Sequence, residues 1–461
     1  MSRSPLLTRR TALKMGGGTL ALLIAGPTFA RAQGETPDLV LLNLGDLHSA
    51  YDRTPQLLQQ VREVKRRFPA VPHVLLFSGD LFEGGNVVAA RSQGAADWAF
   101  LRALQAEMPV ILNIGNHESD LFDLREFVRR ARGIGLTVIT NLYDQRTGLP
   151  YARTFTTIQV GERHIPVLGL GTNAMTTYAK DARPNILAPD PVEFFQATYP
   201  ALAAGSPFSV VLSHIGLVPD RAILQSVKDT TLVVGSHDHL HLRHEVGRSL
   251  YLQNGFKGER LNVVTVRLAP EGVNLQSEDF PITETTPADP VLARLIQQQR
   301  QRYLQPADLE VVGQVDRAYS VEAAARWAVE TLRQATGADI AALNHTSFGA
   351  GFKAGNVTRS EYNEFLRFDN KVVQAQIDAQ TLEGILRLAN QDRGKRFEER
   401  TGDFVYATPI KPEAGKTYTL TTTDFLTSPE NQRRFFGRDG IEFRVLPDVT
   451  SKGLLERPLK P

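Results

Sequence analysis

Cysteine is absent from the 461 residues. No disulfide, thiolate metal site or cysteine nucleophile is therefore possible, and the chain can work in an oxidising or a reducing compartment. Outside the N-terminus there is no apolar run of about 18 to 20 residues, which excludes a multi-span membrane protein. Glycine (36) and proline (26) are not in excess, so collagen-like and low-complexity readings fail. Net charge is small, +2 for the full chain. What remains is an ordinary globular composition with 42% apolar residues, which argues against disorder. The length has room for roughly three domains at about 150 residues each.

Residues 1–32 carry Arg3, Arg9, Arg10, Lys14 and Arg31 and no acid. A short apolar stretch, Met15 to Ala30, follows the paired arginines, and Ala30-Arg31-Ala32 has the form of an A-x-A cleavage site. Thr8-Arg9-Arg10-Thr11-Ala12-Leu13-Lys14 resembles the bacterial twin-arginine export signal, with Ala12 where an aromatic or leucine is usual. The expectation is a signal peptide over 1–32 and a periplasmic or secreted protein. A general secretory signal is the plainer alternative. Cleavage would leave 47 basic against 50 acidic residues, a charge of −3. The mature protein then has no global positive field to recruit nucleic-acid polymers or anionic lipid, and no stable membrane insertion is expected.

From Asp38 to about Pro270, apolar runs alternate with Gly/Asp/Asn/His turns and helical stretches. Leu39–Leu44, Val74–Phe77, Val110–Ile114, Ile165–Leu170, Ser209–Leu212 and Thr231–Val234 read as buried strands. Thr54–Phe68 and Gly94–Ala106 read as helices. This is the pattern of an α/β layered domain. Ser249–Gly255 and Asn262–Leu268 read as closing antiparallel strands, Asp279–Pro290 as a linker and Pro290–Leu304 as a polar helix. A second domain opens near Glu310 with an amphipathic helix, Ser320–Ala335.

Five of the six strand ends carry potential ligands: Asp46 and His48, Asp80, Asn116 and His117, His214, and His237 and His239. In α/β sheets, ligands bind beyond the carboxyl ends of strands, so these chain-distant groups can converge. Carboxylate, imidazole and amide oxygen suit borderline divalent metals such as Zn²⁺, Mn²⁺, Fe²⁺ or Co²⁺. Period-two alternation would put both side chains of D-x-H, and both of H-x-H, on one side of the chain. Seven donors exceed what one ion needs, so two ions are the natural count, with Asp80 able to bridge them. Two ions about 3.5–4 Å apart clamp the attacking and leaving oxygens of a phosphoryl displacement.

The blocks GDLH (45–48), GDLFEGG (79–85), GNHESD (115–120), SHIG (213–216) and GSHDH (235–239) resemble the calcineurin-like metallophosphoesterases, and more closely their 5′-nucleotidase family. The resemblance implies an α/β; calcineurin-like metallophosphoesterase α/β/β/α sandwich over 33–278, a linker and linker helix over 279–309, and a smaller α/β 5′-nucleotidase-type C-terminal domain over 310–461. It implies that Asp46, His48, Asp80 and His239 hold one metal and Asp80, Asn116, His214 and His237 the other. The metals would be two divalent ions drawn from Mn, Zn, Fe, Co or Mg. His117 and Asp120 match the family's catalytic dyad, and a metal-bound water would be the nucleophile. Gly45 stands where the family usually has Asn, and Ser119 where it has an aromatic.

The second half also resembles that family through ATGADIAALN (335–344). The family's N-G-G-G-I-R turn reads Asn344-His345-Thr346-Ser347-Phe348-Gly349 here, with Gly349 at the arginine position. Leu366-Arg367-Phe368-Asp369 matches the family's L-P-F-G. Asn344 and Phe368 are the implied substrate-binding residues, Phe368 as one wall of an aromatic clamp. Ile441 falls at the second wall, where it cannot stack as an aromatic does, with Phe435, Phe436 or Phe443 as substitutes. A nucleoside pocket without its arginine would bind AMP weakly. His73, His164 and His345 read as structural or surface residues, and His241 and His244 as exposed.

The implied function is hydrolysis of a small phosphoester, most simply a 5′-nucleotide or a 2′,3′-cyclic nucleotide. One alternative keeps the metals but changes the ester, as in thiosulfohydrolases, which resemble this family. Another is a non-catalytic metal-binding surface protein, which predicts an eroded donor set; all seven donors are present.

Overall fold

Runs of buried aliphatic side chains set two six-stranded sheets face to face. In the computed structural model, which describes residues 36–270, 272–391 and 395–459, the first sheet has the order Gly272–Pro281, Arg260–Ala269, Leu39–Leu44, His73–Phe77, Val110–Asn113, Thr137–Ile139. Its last four strands are parallel, and the first two join antiparallel. The second sheet has the order His241–Val246, Ser249–Asn254, Thr231–Gly235, Ser209–His214, Arg163–Gly171, Phe155–Val160, parallel in its middle. The proposed export segment, 1–32, lies outside the described residues. Among the described residues no helix is long and apolar enough to cross a membrane.

Leu39, Leu41, Leu76 and Ile111 of one sheet pack against Ile165, Val210, Leu212 and Leu232 of the other. The opposite faces are covered by helices. Thr54–Arg67 buries Leu57, Leu58, Val61 and Val64, the positions one helical face repeats, and its last turn carries Lys65, Arg66 and Arg67 at the negative end of the dipole. Pro191–Ala203 and Leu217–Leu224 cover the second sheet. The order helix, sheet, sheet, helix follows because the central strands, such as Leu39–Leu44, Ser209–His214 and Thr231–Gly235, are buried on both faces and need a partner on each.

Two expectations are corrected. Ser249–Asn254, expected as a closing antiparallel strand, pairs parallel with Thr231–Gly235, and it is not in the same sheet as Arg260–Ala269. Ser249–Asn254 lies in the second sheet and Arg260–Ala269 closes the first sheet, because Gly255, Lys257 and Gly258 in left-handed conformations swing the chain from one sheet to the other. The segment from Asp279 is not linker at its start: the strand continues to Pro281, paired with Arg260–Ala269. The helix Pro290–Tyr303 is N-capped by Asp289, which accepts from Leu292 N at 2.6 Å, and buries Leu292 and Ile296 against the first sheet's outer layer.

The C-terminal half has a five-stranded sheet ordered Val405–Ala407, Ile340–Asn344, Thr417–Thr423, Lys371–Asp378, Arg444–Thr450. The helix Val321–Thr336 starts on a Ser320 cap and ends on left-handed Gly337. Its Ala324, Ala328 and Leu332 join a hydrophobic cluster that also contains Phe195, Ile223 and Tyr251, so the two halves share a core.

Candidate metal centre

The carboxyl ends of the parallel strands carry both sets of turns to one edge of the sandwich. There Asp46, His48 and His239 form one group of donors and Asp80, His214 and His237 a second. His48 Nε2 lies 2.9 Å from His239 Nε2, 3.9 Å from Asp46 Oδ1 and 3.8 Å from Asp80 Oδ2. His214 Nε2 lies 3.1 Å from Asp80 Oδ2 and 3.2 Å from Asn116 Oδ1. His237 Nδ1 is 2.9 Å from the same Asn116 oxygen. All seven donors are thus in one buried cluster, and Asp80 stands between its two parts.

The backbone is bent to achieve this. Asp46, His48, Asp80, His237 and His239 all have positive φ, from 47° to 87°. Left-handed backbone costs an L-residue about 1–2 kcal/mol, and it persists here because surrounding bonds determine it. Asp46 N donates to Gly79 O at 2.9 Å and His48 N to Asp80 O at 3.1 Å. His237 N donates to the Asp46 carboxylate at 3.1 Å. The extended alternation expected for D-x-H and H-x-H is therefore wrong. The left-handed turns splay His237 and His239 into different groups. Gly45 is explained by crowding, since a Cβ there would collide with Ser78 Oγ. Ser119 bonds Asn116 O at 2.6 Å and accepts from Ala179 N at 3.1 Å, tying the loop Met175–Arg183 to the site.

The donor chemistry fits divalent ions. Burial holds His48 and His237 down at about 3 and His239 below the ordinary imidazole range, so these rings are neutral lone-pair donors at neutral pH. Two imidazole nitrogens facing each other at 2.9 Å offer at least one lone pair to a common electrophile. Asp80 is held well below the carboxylate range, against the cost of burial, by His214 and His117. That carboxylate in turn raises His214 to about 9 despite burial. A centre negative enough to hold protons on buried imidazoles exchanges them for metal cations. The outer nitrogen of His214 donates to Ser78 O at 2.9 Å, and that of His48 lies 3.5 Å from Glu83 Oε2. Such partners aim metal ligands and set their basicity.

His117 sits against this cluster. Its Nδ1 is 2.8 Å from Asp120 Oδ2, and its backbone N–H donates to Asp80 Oδ1 at 2.8 Å. Although burial opposes the charge, Asp120 and Asp80 raise the imidazole to about 10. The ring lines a cavity of about 580 Å³. Phe368 is there too, 46% exposed. Asn344 also lines it, with its amide nitrogen on Thr346 and its oxygen on Ser347. Ile441 does not: it is buried in the second half's core, its backbone held by Gln432. The cavity's other aromatics include Phe425 and Phe435.

The remaining histidines divide. His241 bonds Asp279 at the surface, 2.6 Å away, and His244 stacks on Phe397. His345 is closer to the centre than expected, stacked on Phe404 and edge-on to His239 with centroids 6.1 Å apart.

Sequence reasoning missed four charged residues. Glu83 faces His48, and Arg367 and Arg434 reach the cavity from the second half. The pocket therefore does not lack arginine, as Gly349 had implied. Glu118 is the fourth. It is fully buried and accepts from Gly115 N at 2.7 Å, Leu81 N at 2.8 Å and Asp80 N at 3.2 Å, tying two donor loops together. Glu118→Ala leaves three buried N–H groups unpaired and should lower stability by about 3 kcal/mol or more, at 1–3 kcal/mol per group. Urea denaturation checks this, and a loss under about 1 kcal/mol would contradict it.

Residues 39–241 match the calcineurin-like phosphoesterase family. Residues 39–241 therefore carry a calcineurin-like phosphoesterase domain, and the donor set on its strand ends suits divalent metal ions. Over most of its length the chain shares its fold with solved 5′-nucleotidases. A 5′-nucleotidase precursor from Thermus thermophilus superposes with a TM-score of 0.64 at 17% identity, covering 92% of this chain and 96% of that one. A sulfate thiohydrolase, SoxB, of Thermus thermophilus gives 0.64 at 14% identity, covering 92% and 95%. A human 5′-nucleotidase is 24% identical over 237 residues, 44% of this chain and 38% of that protein. The chain thus matches well under half of that relative's length, and the structural likenesses are of fold.

Proposed function

We propose that this protein is an exported hydrolase of small phosphoesters, acting on 5′-nucleotides or 2′,3′-cyclic nucleotides. Asp46, His48, Asp80 and His239 would hold one divalent ion, and Asp80, Asn116, His214 and His237 the other. The observation that carries the reading is the convergence of seven donors from five turns on one buried cluster, with the His117–Asp120 pair against them. When bound, two such ions supply Lewis-acid activation of water and neutralise charge on phosphoryl oxygens.

The chain's own residues do the rest. His117 Nδ1–H donates to Asp120, which fixes the ring, and because Asp120 and Asp80 keep the imidazole protonated against burial, Nε2 also carries a proton. In the cavity the ring stabilises charge on the phosphoryl group or protonates the leaving oxygen. Loop Met175–Arg183 and the second half wall off solvent. Phe368 and Phe425 offer flat surfaces to a leaving group, and Asn344 lines the same cavity.

Phosphate release from AMP, 2′,3′-cyclic AMP and an aryl phosphate, measured side by side with Mn²⁺, tests the reading. Chelation should abolish turnover and Mn²⁺ should restore it. No turnover on any of the three with two ions bound would favour a thiosulfonate or other unusual ester, and no bound metal a binding protein. Export rests on the twin arginines: changing Arg9 and Arg10 to lysine should retain the protein inside, and continued export would refute that route.

A further inference from the structure

The outer nitrogen of the proposed ligand His237 faces a cation. The ring turns Nδ1 towards the donor cluster, 2.9 Å from Asn116 Oδ1, which is itself 3.2 Å from His214 Nε2. Its Nε2 lies 3.3 Å from Nη2 of Arg434, on the helix Pro429–Phe436. A guanidinium only donates, so in this contact Nε2 accepts and the one proton of the neutral ring sits on Nδ1. A neutral ring that gives its Nδ1 lone pair to a cation carries that proton on Nε2 instead, and needs an acceptor there. Two other ligand histidines follow this rule: the outer nitrogen of His214 donates to Ser78 O, and that of His48 faces the Glu83 carboxylate. The Arg434–His237 hydrogen bond and ligation by His237 Nδ1 therefore exclude one another.

An acceptor stands beside the guanidinium. Asp403 is the partner of Arg434 Nε. Against burial, Arg434, His345 and His237 hold its carboxyl below the ordinary range. The loop that carries Asp403 is seated on the ligand turn. A Cβ at Gly402 would lie 2.5 Å from Oδ2 of Asp238, between His237 and His239, and Gly402 has φ +78°. Glycine is what allows this approach. Arg221, from the helix Leu217–Leu224, donates to Phe397 O and Arg400 O at 2.6 Å and anchors the loop from the first half. Asp403 O accepts from Thr401 Oγ1 at 2.8 Å, and Phe404 meets His345 Nδ1 through its backbone. The backbone around Asp403 is thus held, which leaves side-chain rotation to exchange Arg434 for Asp403 at His237.

We propose that Asp403 is a positioning residue for the metal centre: it accepts the His237 Nε2 proton and so aims Nδ1 at the ion, while Arg434 competes for the same nitrogen and opposes ligation. The C-terminal half thereby sets the affinity of the ion held by Asp80, Asn116, His214 and His237. This rests on the reading of His237 as a ligand. A carboxylate behind a ligating imidazole fixes its tautomer and raises its basicity. Because the Arg434 contact and ligation share one ring, whatever strengthens either weakens the other by the same factor.

Zn²⁺ affinity of the full chain, measured by competition with a chromophoric chelator, separates the two roles. Asp403→Asn should weaken one of the two ions about 10–100-fold and leave the other unchanged. Arg434→Gln should tighten that same ion about fivefold or more, because the competing donor is gone. Nitrogen-15 spectra of histidine-labelled protein supply a readout that a purely structural pair would not move, with His237→Gln identifying the resonance. Metal-free wild-type protein should show His237 protonated on Nδ1. The Zn²⁺ form should show an Nε2 proton shifted downfield by the carboxylate, and D403N should lack it. If D403N does not fold, D403N/R434Q, which strands neither charge, replaces it: its affinity should fall below that of R434Q, and the downfield proton should again be missing. Weakening by both single variants would make the pair a prop for the ligand turn and overturn the proposal. So would unchanged affinity in both, or a downfield proton retained in D403N. Wild-type protein that binds two Zn²⁺ ions but hydrolyses no ester would end the hydrolase reading and leave the positioning role standing. Zn²⁺ binding indifferent to His237→Gln would refute the ligand reading itself, and this role with it.

Discussion

Replacing His117 with alanine should lower kcat about 10²–10⁴-fold, the range a positioned acid–base group contributes, while both ions remain bound. The ring is not among the seven proposed ligands; it lies edge-on to His48 with centroids 4.7 Å apart and lines the cavity. Binding of metal and of ground-state ester should therefore survive, so KM changes little and the loss appears in kcat. Asp120→Asn should cost less. It keeps an oxygen for Gly84 N but weakens the charge that holds the His117 proton. Steady-state kinetics on metal-quantified protein decides. A drop in metal content equal to the drop in kcat would show that His117 holds an ion instead.

Asp80→Asn should be more damaging still, through loss of metal. Asp80 is the carboxylate that stands between the two donor groups, 3.1 Å from His214 and 3.8 Å from His48. It also positions the His117 backbone. Asparagine keeps the shape and removes the charge that draws cations into a buried site. Metal content should fall below two ions per chain by elemental analysis. Activity should fall by more than the roughly 10²–10³-fold that follows loss of a single charge-stabilising donor. Retention of two ions with near-normal turnover would exclude Asp80 as the bridging ligand. Fold loss is separable from metal loss, because Asp80 contributes no apolar packing and near-native melting of the variant is expected.

Much of the catalytic half was legible because its signals are local. Leu39–Leu44 is a continuous aliphatic run and forms a strand over the same residues. Thr54–Phe68 repeats its apolar positions at helical spacing and is a helix to Arg67. Asp46, Asp80 and Asn116 follow strands that the parallel sheet aligns, so their shared edge follows from topology alone. The turn geometry did not. Alternation in an extended chain was the wrong rule where Asp46, His48, His237 and His239 adopt left-handed backbone. Hydrogen bonds from distant loops impose that conformation, and those are invisible in the residues themselves.

The sequence alone determined the donor types, their order along the chain, and the absence of thiol chemistry. It determined that apolar strands must be covered on both faces, and hence a layered α/β fold. Tertiary structure alone decided which donors share a group, and that Glu118 braces two of the donor loops. It also decided that Ile441 belongs to a core and not to the cavity, and that an arginine absent at position 349 is answered by Arg367 passing over that glycine. The physical reason is the same in each case. Hydrophobic periodicity is written in neighbouring residues, whereas a buried charge is stabilised by partners from remote segments, and no spacing in the chain records which of them will meet.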